Sequence, residues 1–308
     1  MTKKTDLITI LGPTASGKTA VAVTLARQLG AEILSADSRQ VYRGMDLGTG
    51  KDLEEYRAGG VEVPVHLVDL VDAGEAYDLF RFVTDFSTAY RDITSRGRQP
   101  LMCGGSGMYL EAIIRGYDLK PASADVQLQR KIEQMSNDDL INILKEKNRL
   151  HNTTDTMHRA RLEKAVAIAL TDEQNDLKAA VVDFAKLNHT VFGVSIPRQR
   201  LRERITERLM ARLKAGMVEE VEQLINSGVP PEKLRYYGLE YRFLTDYITG
   251  VISFQKMVEG LNTAIHQFAK RQMTWFRRME KNNIPIHWIA GDRDAGLMAD
   301  EIKRLLVS

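Results

Sequence analysis

Short runs of consecutive apolar residues alternate with stretches of helical spacing through the first hundred positions of the chain. Leu7–Leu11 is one such run. It ends in a glycine-rich turn and is followed at 20–29 by apolar positions every three or four residues, which predicts strand, loop and helix in that order. Further runs at Glu32–Ala36, 63–70 and 100–103 predict buried strands, with a helix over 78–96 between the last two. Strand-like runs then vanish from about 123 to 188, where 125–147, 157–170 and 175–187 all carry helical spacing. A buried strand returns at 190–196, closed by Pro197, and a long helix over 198–226 runs out near Gly228 and the Pro230-Pro231 pair. The remaining pattern is a helix over 254–281, a short strand at 286–289 and a last helix over 294–306.

Composition narrows the class of molecule. With 308 residues the chain exceeds a usual single domain of roughly 100 to 200 residues, so one large unit carrying a smaller insertion is expected. Apolar residues make up 44% and charged residues 27%, which excludes a disordered chain. A lone cysteine, Cys103, excludes an internal disulfide and a multi-cysteine zinc site and points to a reducing compartment. The first residues are short and polar and no stretch approaches the roughly 18 apolar residues of a membrane span, so the expectation is a cytoplasmic protein with no membrane contact. A net charge of +2 is too small to argue for nucleic-acid binding unless the basic residues cluster.

The strongest chemical motif is Gly12, Pro13, Thr14, Ala15, Ser16, Gly17, Lys18 and Thr19, a complete eight-residue phosphate loop between a predicted strand and a predicted helix. Its glycines let backbone N–H groups converge on phosphate oxygens, and the helix N-terminus adds partial positive charge. Lys18 supplies a point charge and the Thr19 hydroxyl can hold Mg²⁺. The fold class that follows is α/β: a P-loop NTPase-like parallel sheet flanked by helices, with residues 1–120 and 189–308 as its core and 121–188 as a helical insertion. A bound di- or triphosphate is implied, but the loop alone does not say whose phosphate it is.

Further blocks decide the family. Ser35-Ala-Asp-Ser-Arg-Gln-Val-Tyr-Arg-Gly-Met-Asp-Leu-Gly-Thr-Gly-Lys51 resembles the segment that follows the phosphate loop in tRNA dimethylallyltransferases. Val65-His-Leu-Val-Asp69 is similar to the HHLID strand of that family, Gly104-Gly-Ser-Gly-Met-Tyr109 to its GGTGLY turn, and Ala269-Lys-Arg-Gln-Met-Thr-Trp-Phe-Arg277 to its AKRQ-TWFR helix. The resemblance implies an enzyme of the prenyltransferase class in which an adenine N6 of tRNA, on the adenosine immediately 3′ of the anticodon, attacks C1 of dimethylallyl diphosphate and diphosphate leaves. Mg²⁺ is the implied cofactor, tRNA and dimethylallyl diphosphate are the implied partners, and a monomer is expected.

An exocyclic amine on a purine is a poor nucleophile, so a carboxylate placed to take its proton is useful. Asp37 is the candidate, just past the second predicted strand at the sheet edge where ligands of open α/β folds sit; capping the next turn or holding Mg²⁺ through water are the bland alternatives. Cations must neutralise the leaving diphosphate, and Lys18 is joined there by Arg208, which resembles the second arginine of the family's R-I-x-x-R run. Arg200, Arg204, Arg208 and Arg212 recur every four residues, and Arg200 and Arg212 read as a solvated stripe paired with Glu203 and Glu207. Ser106 stands where the family has threonine and can donate to a phosphate or a base edge. Cys103 reads as a core thiol.

For tRNA the candidates are Asp37, Ser38, Arg39, Gln40, Ser106, Gln129, Arg161, Lys164, Lys270 and Arg277, with Gly238, Leu239, Glu240 and Tyr241 behind them. Lys270, Thr274, Arg277 and Lys281 share a helix face opposite Ala269, Met273 and Phe276, a basic stripe backed by core. The insertion departs from the family: Lys164 and Gln129 replace arginines and Ala167 replaces a glutamate. Competing readings are a prenyltransferase acting on free adenine nucleotide, a small-molecule kinase holding ATP in the loop, and a non-catalytic RNA-binding module.

Overall fold

The computed structural model describes residues 5–57, 60–117, 119, 126–147, 159–170 and 181–307, and for 126, 127, 160 and 161 the backbone alone. Strand β1 (Leu7–Leu11) is buried at every position and leads through the phosphate loop into α1 (Lys18–Leu29), whose buried positions Val21, Ala22, Leu25 and Ala26 lie on the face turned to the sheet. Next come β2 (Glu32–Ala36), a short α2 (Glu54–Arg57), β3 (Val65–His66), α3 (Leu79–Ser95), β4 (Pro100–Gly104) and α4 (Gly107–Arg115). Asp78 starts α3 by accepting the Arg81 backbone N–H at 2.9 Å, which satisfies one of the donors a helix N-terminus leaves open.

The chain divides into two compact units, 1–116 with 182–308 and 117–181. In the smaller unit the described helices are α5 (Val126–Gln134), α6 (Asn137–Glu146) and α7 (Arg159–Leu170), packed through Ile132, Leu140, Leu144, Leu162 and Val166. The single helix expected over 125–147 is two. Ser136 accepts the Asp139 backbone N–H at 3.2 Å and its own N–H reaches Asp139 Oδ2, a reciprocal cap that starts a new helix.

The larger unit resumes with β5 (His189–Ser195), then α8 (Arg198–Lys214), α9 (Met217–Asn226), α10 (Pro231–Leu234), α11 (Leu239–Ile248), α12 (Phe254–Lys281), β6 (His287–Ala290) and α13 (Ala295–Val307). The long helix expected over 198–226 is interrupted because Gly216 adopts a left-handed φ of 103°, which glycine alone among residues takes freely. Of the helix expected over 175–187, residues 171–180 lie outside the described set, and the rest is a 3-10 turn at Phe184–Lys186. Phe184 is held edge-on between Phe86 and Tyr90, and the Val182 N–H donates to Ser87 Oγ at 2.8 Å, so this segment is tied to α3 instead of coiling. The strand expected over 63–70 pairs at Val65–His66 alone, because Leu67 and Asp69 take left-handed backbone angles.

Among the described residues the six strands are all parallel, in the order β3-β2-β4-β1-β5-β6. Leu11 pairs with Gly104 and Gly193, and Ala36 with Gly104, so β1, β2 and β4 end level. The chain leaves β1, runs outward to β2 and returns to insert β4 beside β1; the reversal puts a crevice at the carboxyl ends of these strands. One apolar cluster lies between the sheet, α1 and α13; a second joins residues 41–45 to α8, α9, α11 and α12. This is the P-loop NTPase-like sheet with a separate helical unit.

Candidate active site

The phosphate loop is shaped by two left-handed residues, Ala15 (φ 61°) and Gly17 (φ 84°), which turn its N–H groups inward ahead of α1. It is braced from 258 residues away. The Thr14 N–H donates to Gln272 Oε1 at 2.9 Å, and Gln272 Nε2 donates to the Gly105 carbonyl at 2.9 Å. Buried Gln272 thus fixes the loop after β1 to the loop after β4. Lys18 Nζ lies across the phosphate loop, 3.5 Å from the Pro13 carbonyl. Burial lowers its pKa with help from Arg208, against the opposing pull of Cys103, Asp37 and Glu55.

Asp37 emerges from the end of β2. Its Oδ1 accepts the Arg39 N–H at 3.0 Å and its carbonyl accepts the Gln40 N–H at 3.3 Å, a turn that fixes the carboxylate and leaves Oδ2 without a hydrogen-bond partner among the described residues. Ser106, at the start of α4, accepts the Ser38 N–H at 3.0 Å and lies 3.3 Å from Ser38 Oγ. The residue expected to meet phosphate or base therefore also locks the turn that carries Asp37. Gln40 has its amide engaged at both ends, donating to the Gly50 carbonyl at 3.0 Å and accepting from Ser35 Oγ at 2.8 Å.

Across from these stand the cations of α8. Arg208 and Arg212 both bond Asp52, Arg212 at 3.0 Å to each carboxylate oxygen. Burial alone would raise Asp52, but the two guanidiniums overcome it and hold its pKa below the usual carboxylate range. Arg212 is 14% exposed on its side chain, so the expectation that it belongs to a solvated stripe is corrected; its partner is Asp52, because α8 turns this face inward. Arg200 does pair with Glu203, at 3.2 Å. The guanidiniums of Arg208 and Arg212 press on Gly50, where a Cβ would sit 2.7 Å from Arg208. Glu55, beside them, is pushed up by burial and by Asp52, and its Oε2 is buried without a partner among the described residues.

Lys18, Asp37, Ser38, Gln40, Gly50, Asp52, Glu55, Ser106, Arg208, Arg212 and Gln272 line one cleft of about 1160 Å³. Thr14, Ala15, Gly17, Lys18, Thr19, Asp37, Ser38, Arg39, Gln40, Ser106 and Arg208 meet there, as the sequence expects of one site. Gly12, Pro13 and Ser16 lie beneath as buried parts of the loop. Lys270 and Arg277 are exposed on α12 and are not among the cleft-lining groups; their neighbours Phe268, Arg271, Gln272 and Trp275 line it instead. Those four sit in or beside the AKRQ-TWFR block, which located them, while the basic stripe of Lys270 and Arg277 lies on the exposed face of the same helix. Gln129 and Lys164 are exposed in the smaller unit, and the Arg161 side chain lies outside the described residues. Gly238, Leu239 and Glu240 line the cleft, whereas Tyr241 is core, donating to Glu220 Oε1 at 2.6 Å. Burial pushes the Cys103 thiol up to about 12, as befits a core thiol.

Thr19 is the metal-facing candidate. Among the described residues no group of three or more His, Cys, Asp or Glu could hold an ion. A Mg²⁺ here would draw on one hydroxyl, water and the ligand's own phosphate oxygens, a donor set Mg²⁺ commonly accepts. Among the described residues no helix is long and apolar enough to cross a membrane.

Comparison with known proteins agrees with the geometry. The IPP transferase family matches residues 40–279 and the isopentenyl transferase family residues 5–60. The chain is 49% identical over 295 residues to tRNA dimethylallyltransferase 1 of Porphyromonas gingivalis, covering 96% of each, and 48% identical over 301 residues to tRNA dimethylallyltransferase 1 of Geotalea uraniireducens, covering 97% of each. The crystal structure of the full-length tRNA isopentenylpyrophosphate transferase of Bacillus halodurans superposes with a TM-score of 0.71 at 28% identity, over 99% of this chain and 96% of that one. A eukaryotic dimethylallyltransferase acting on tRNA shares the fold, with a TM-score of 0.76 at 21% identity over 98% of this chain and 78% of the other. With a family match across residues 40–279 and near-full-length relatives close to half identical, the chain belongs to the tRNA dimethylallyltransferase family.

Proposed function

We propose that this enzyme transfers a dimethylallyl group from dimethylallyl diphosphate to N6 of the adenosine immediately 3′ of the anticodon in tRNA. The N6 lone pair forms the bond to C1, the C1–O bond breaks, and its electron pair leaves with diphosphate. The proton from N6 passes to Asp37 Oδ2, the carboxylate oxygen without a protein partner among the described residues. Lys18, Arg208 and the backbone N–H groups of Gly17, Lys18 and Thr19 at the start of α1 take up the charge of the leaving diphosphate. Thr19 would hold a Mg²⁺ ion, which when bound would supply further neutralisation of the diphosphate charge. Ser38, Arg39 and Ser106 face the acceptor base and its neighbours, while Gln129, Arg161 and Lys164 of the smaller unit serve the rest of the tRNA.

The observation that carries this reading is that a phosphate loop and a turn-fixed carboxylate line the same cleft with a cation wall, Arg208 and Arg212, that a diphosphate leaving group needs. The test incubates the protein with Mg²⁺, labelled dimethylallyl diphosphate and either unmodified tRNA or AMP. Label is expected on the adenosine 3′ of the anticodon. Label on AMP alone reassigns the acceptor, and no label on either ends the transferase reading. Asp37→Asn is expected to keep donor binding and lower turnover by roughly 10² or more; unchanged turnover removes Asp37 from this role.

A further inference from the structure

The cleft carries a second set of features that bond-making does not use. Among the large apolar side chains left exposed in the described residues, Met108, Tyr236 and Phe268 all line this one cleft, and Tyr236, 82% exposed, is the most exposed of them. Isolated exposed apolar groups need no explanation, but three gathered at one opening do.

Tyr236 is also held in place. Its neighbour Tyr237 is buried against Tyr42 with ring centroids 4.5 Å apart, and the Tyr237 hydroxyl accepts the Gly74 N–H at 2.6 Å. Arg235, on the other side, bonds Asp246 at 2.7 Å and Thr249 at 3.2 Å. The Tyr236 carbonyl accepts from Arg39 Nη1 at 3.0 Å, which ties it to the turn carrying Asp37. Both flanking residues are anchored, so the ring is presented outward from a fixed backbone. Apart from the α8 arginines, Arg39, Arg242 and Arg271 also line the cleft, the last 5.9 Å from the centre of the Phe268 ring.

Flat apolar faces interleaved with cations match the chemistry of unstacked nucleobases joined by phosphates, which bind by stacking on aromatic rings while arginines neutralise the backbone. We infer that Tyr236 is a stacking platform for a nucleobase flanking the target adenosine, with Arg39, Arg242 and Arg271 taking the adjoining phosphates. The inference rests on the reading above that the acceptor is RNA. A target adenosine drawn out of its loop leaves neighbours that have lost a stacking partner, and an exposed ring beside the Asp37 turn replaces it. A free nucleotide has no neighbours and would leave this surface unused.

The test measures binding of the full-length protein to an unmodified anticodon stem-loop, and to versions in which each nucleotide flanking the target is in turn made abasic. Tyr236→Ala is expected to weaken RNA binding by about tenfold or more, with inorganic diphosphate binding and Tm unchanged, and Tyr236→Trp to restore it. At one flanking position the abasic change should weaken wild type but have little further effect on Tyr236→Ala. Equal RNA affinity for wild type and Tyr236→Ala would overturn the inference, as would equal abasic penalties in both at every position. Wild type that binds diphosphate but neither binds nor prenylates RNA would instead refute the underlying reading of the acceptor.

Discussion

At the residue scale, the site depends on side chains whose job is to hold others. Gln272 is the clearest case: a buried amide that satisfies the Thr14 N–H and the Gly105 carbonyl together. Gln272→Leu fits the volume but strands both backbone groups. The expected cost is about 1 to 3 kcal/mol in urea denaturation, with a raised KM for the prenyl donor. The family block contained Gln272, yet nothing in its spacing revealed that it spans two loops, because the partners lie 167 and 258 residues away. Asp37, Lys18 and Ser106 were legible because each follows a strand end by one or two residues or belongs to the loop motif. Cys103 was legible as well: with its thiol pushed up to about 12, thiolate is scarce at neutral pH, and alkylation at pH 8 should be far slower in the folded protein than in urea. Rapid labelling of the native protein would contradict this.

At the element scale, helices matter here for the loops they clamp. Glu220 on α9 accepts the backbone N–H groups of Asp46, Leu47 and Gly48 at 2.9, 2.7 and 3.1 Å and also the Tyr241 hydroxyl. Lys51, fully buried, bonds Asp46 at 2.6 Å and Asp69 besides. The segment 46–52, and with it Asp52, is thereby pinned opposite α8. Glu220→Ala leaves three loop donors and a buried tyrosine hydroxyl unpaired, so a loss of at least about 2 kcal/mol is expected. Hydrogen exchange should speed up across 46–52, and unchanged protection there would show that Lys51 alone suffices. All the strands but the third, and the helices expected over 78–96 and 254–281, were legible from periodicity to within a residue or two. The breaks were harder to read. Gly216 breaks α8 from α9 through its left-handed backbone, and the first left-handed residue that cuts short the third strand is Leu67, which gives no turn signal by type.

At the scale of the whole molecule, parallel pairing brings together residues that the sequence keeps far apart. Glu32 on β2 shows how the layers are joined: its carboxylate bonds Arg96, from the end of α3, and His66 of β3 at 2.8 Å. Chiefly through the Arg96 hydrogen bond, its pKa is held at about 2, against 4.5 unfolded. A depressed carboxylate contributes stability that is complete above the unfolded value and is lost as pH falls toward the folded one. Wild type should therefore lose about 2 kcal/mol more than Glu32→Gln between pH 5 and pH 2 in denaturant titrations; parallel curves would contradict this. The sheet and its carboxyl-edge crevice followed from the alternating pattern, but that α8 and α12 close the crevice did not, since spacing gives no partner for a helix; the family resemblance supplied those residues. The central claim is that residues 12–19 grip the diphosphate of a prenyl donor. A crystal grown with both ATP and an unreactive thiolo analogue of dimethylallyl diphosphate tests it most directly. The analogue should lie with its phosphates on the loop and Lys18 and its C1 toward Asp37, whereas ATP in that loop with its terminal phosphate aimed at an acceptor would contradict the account.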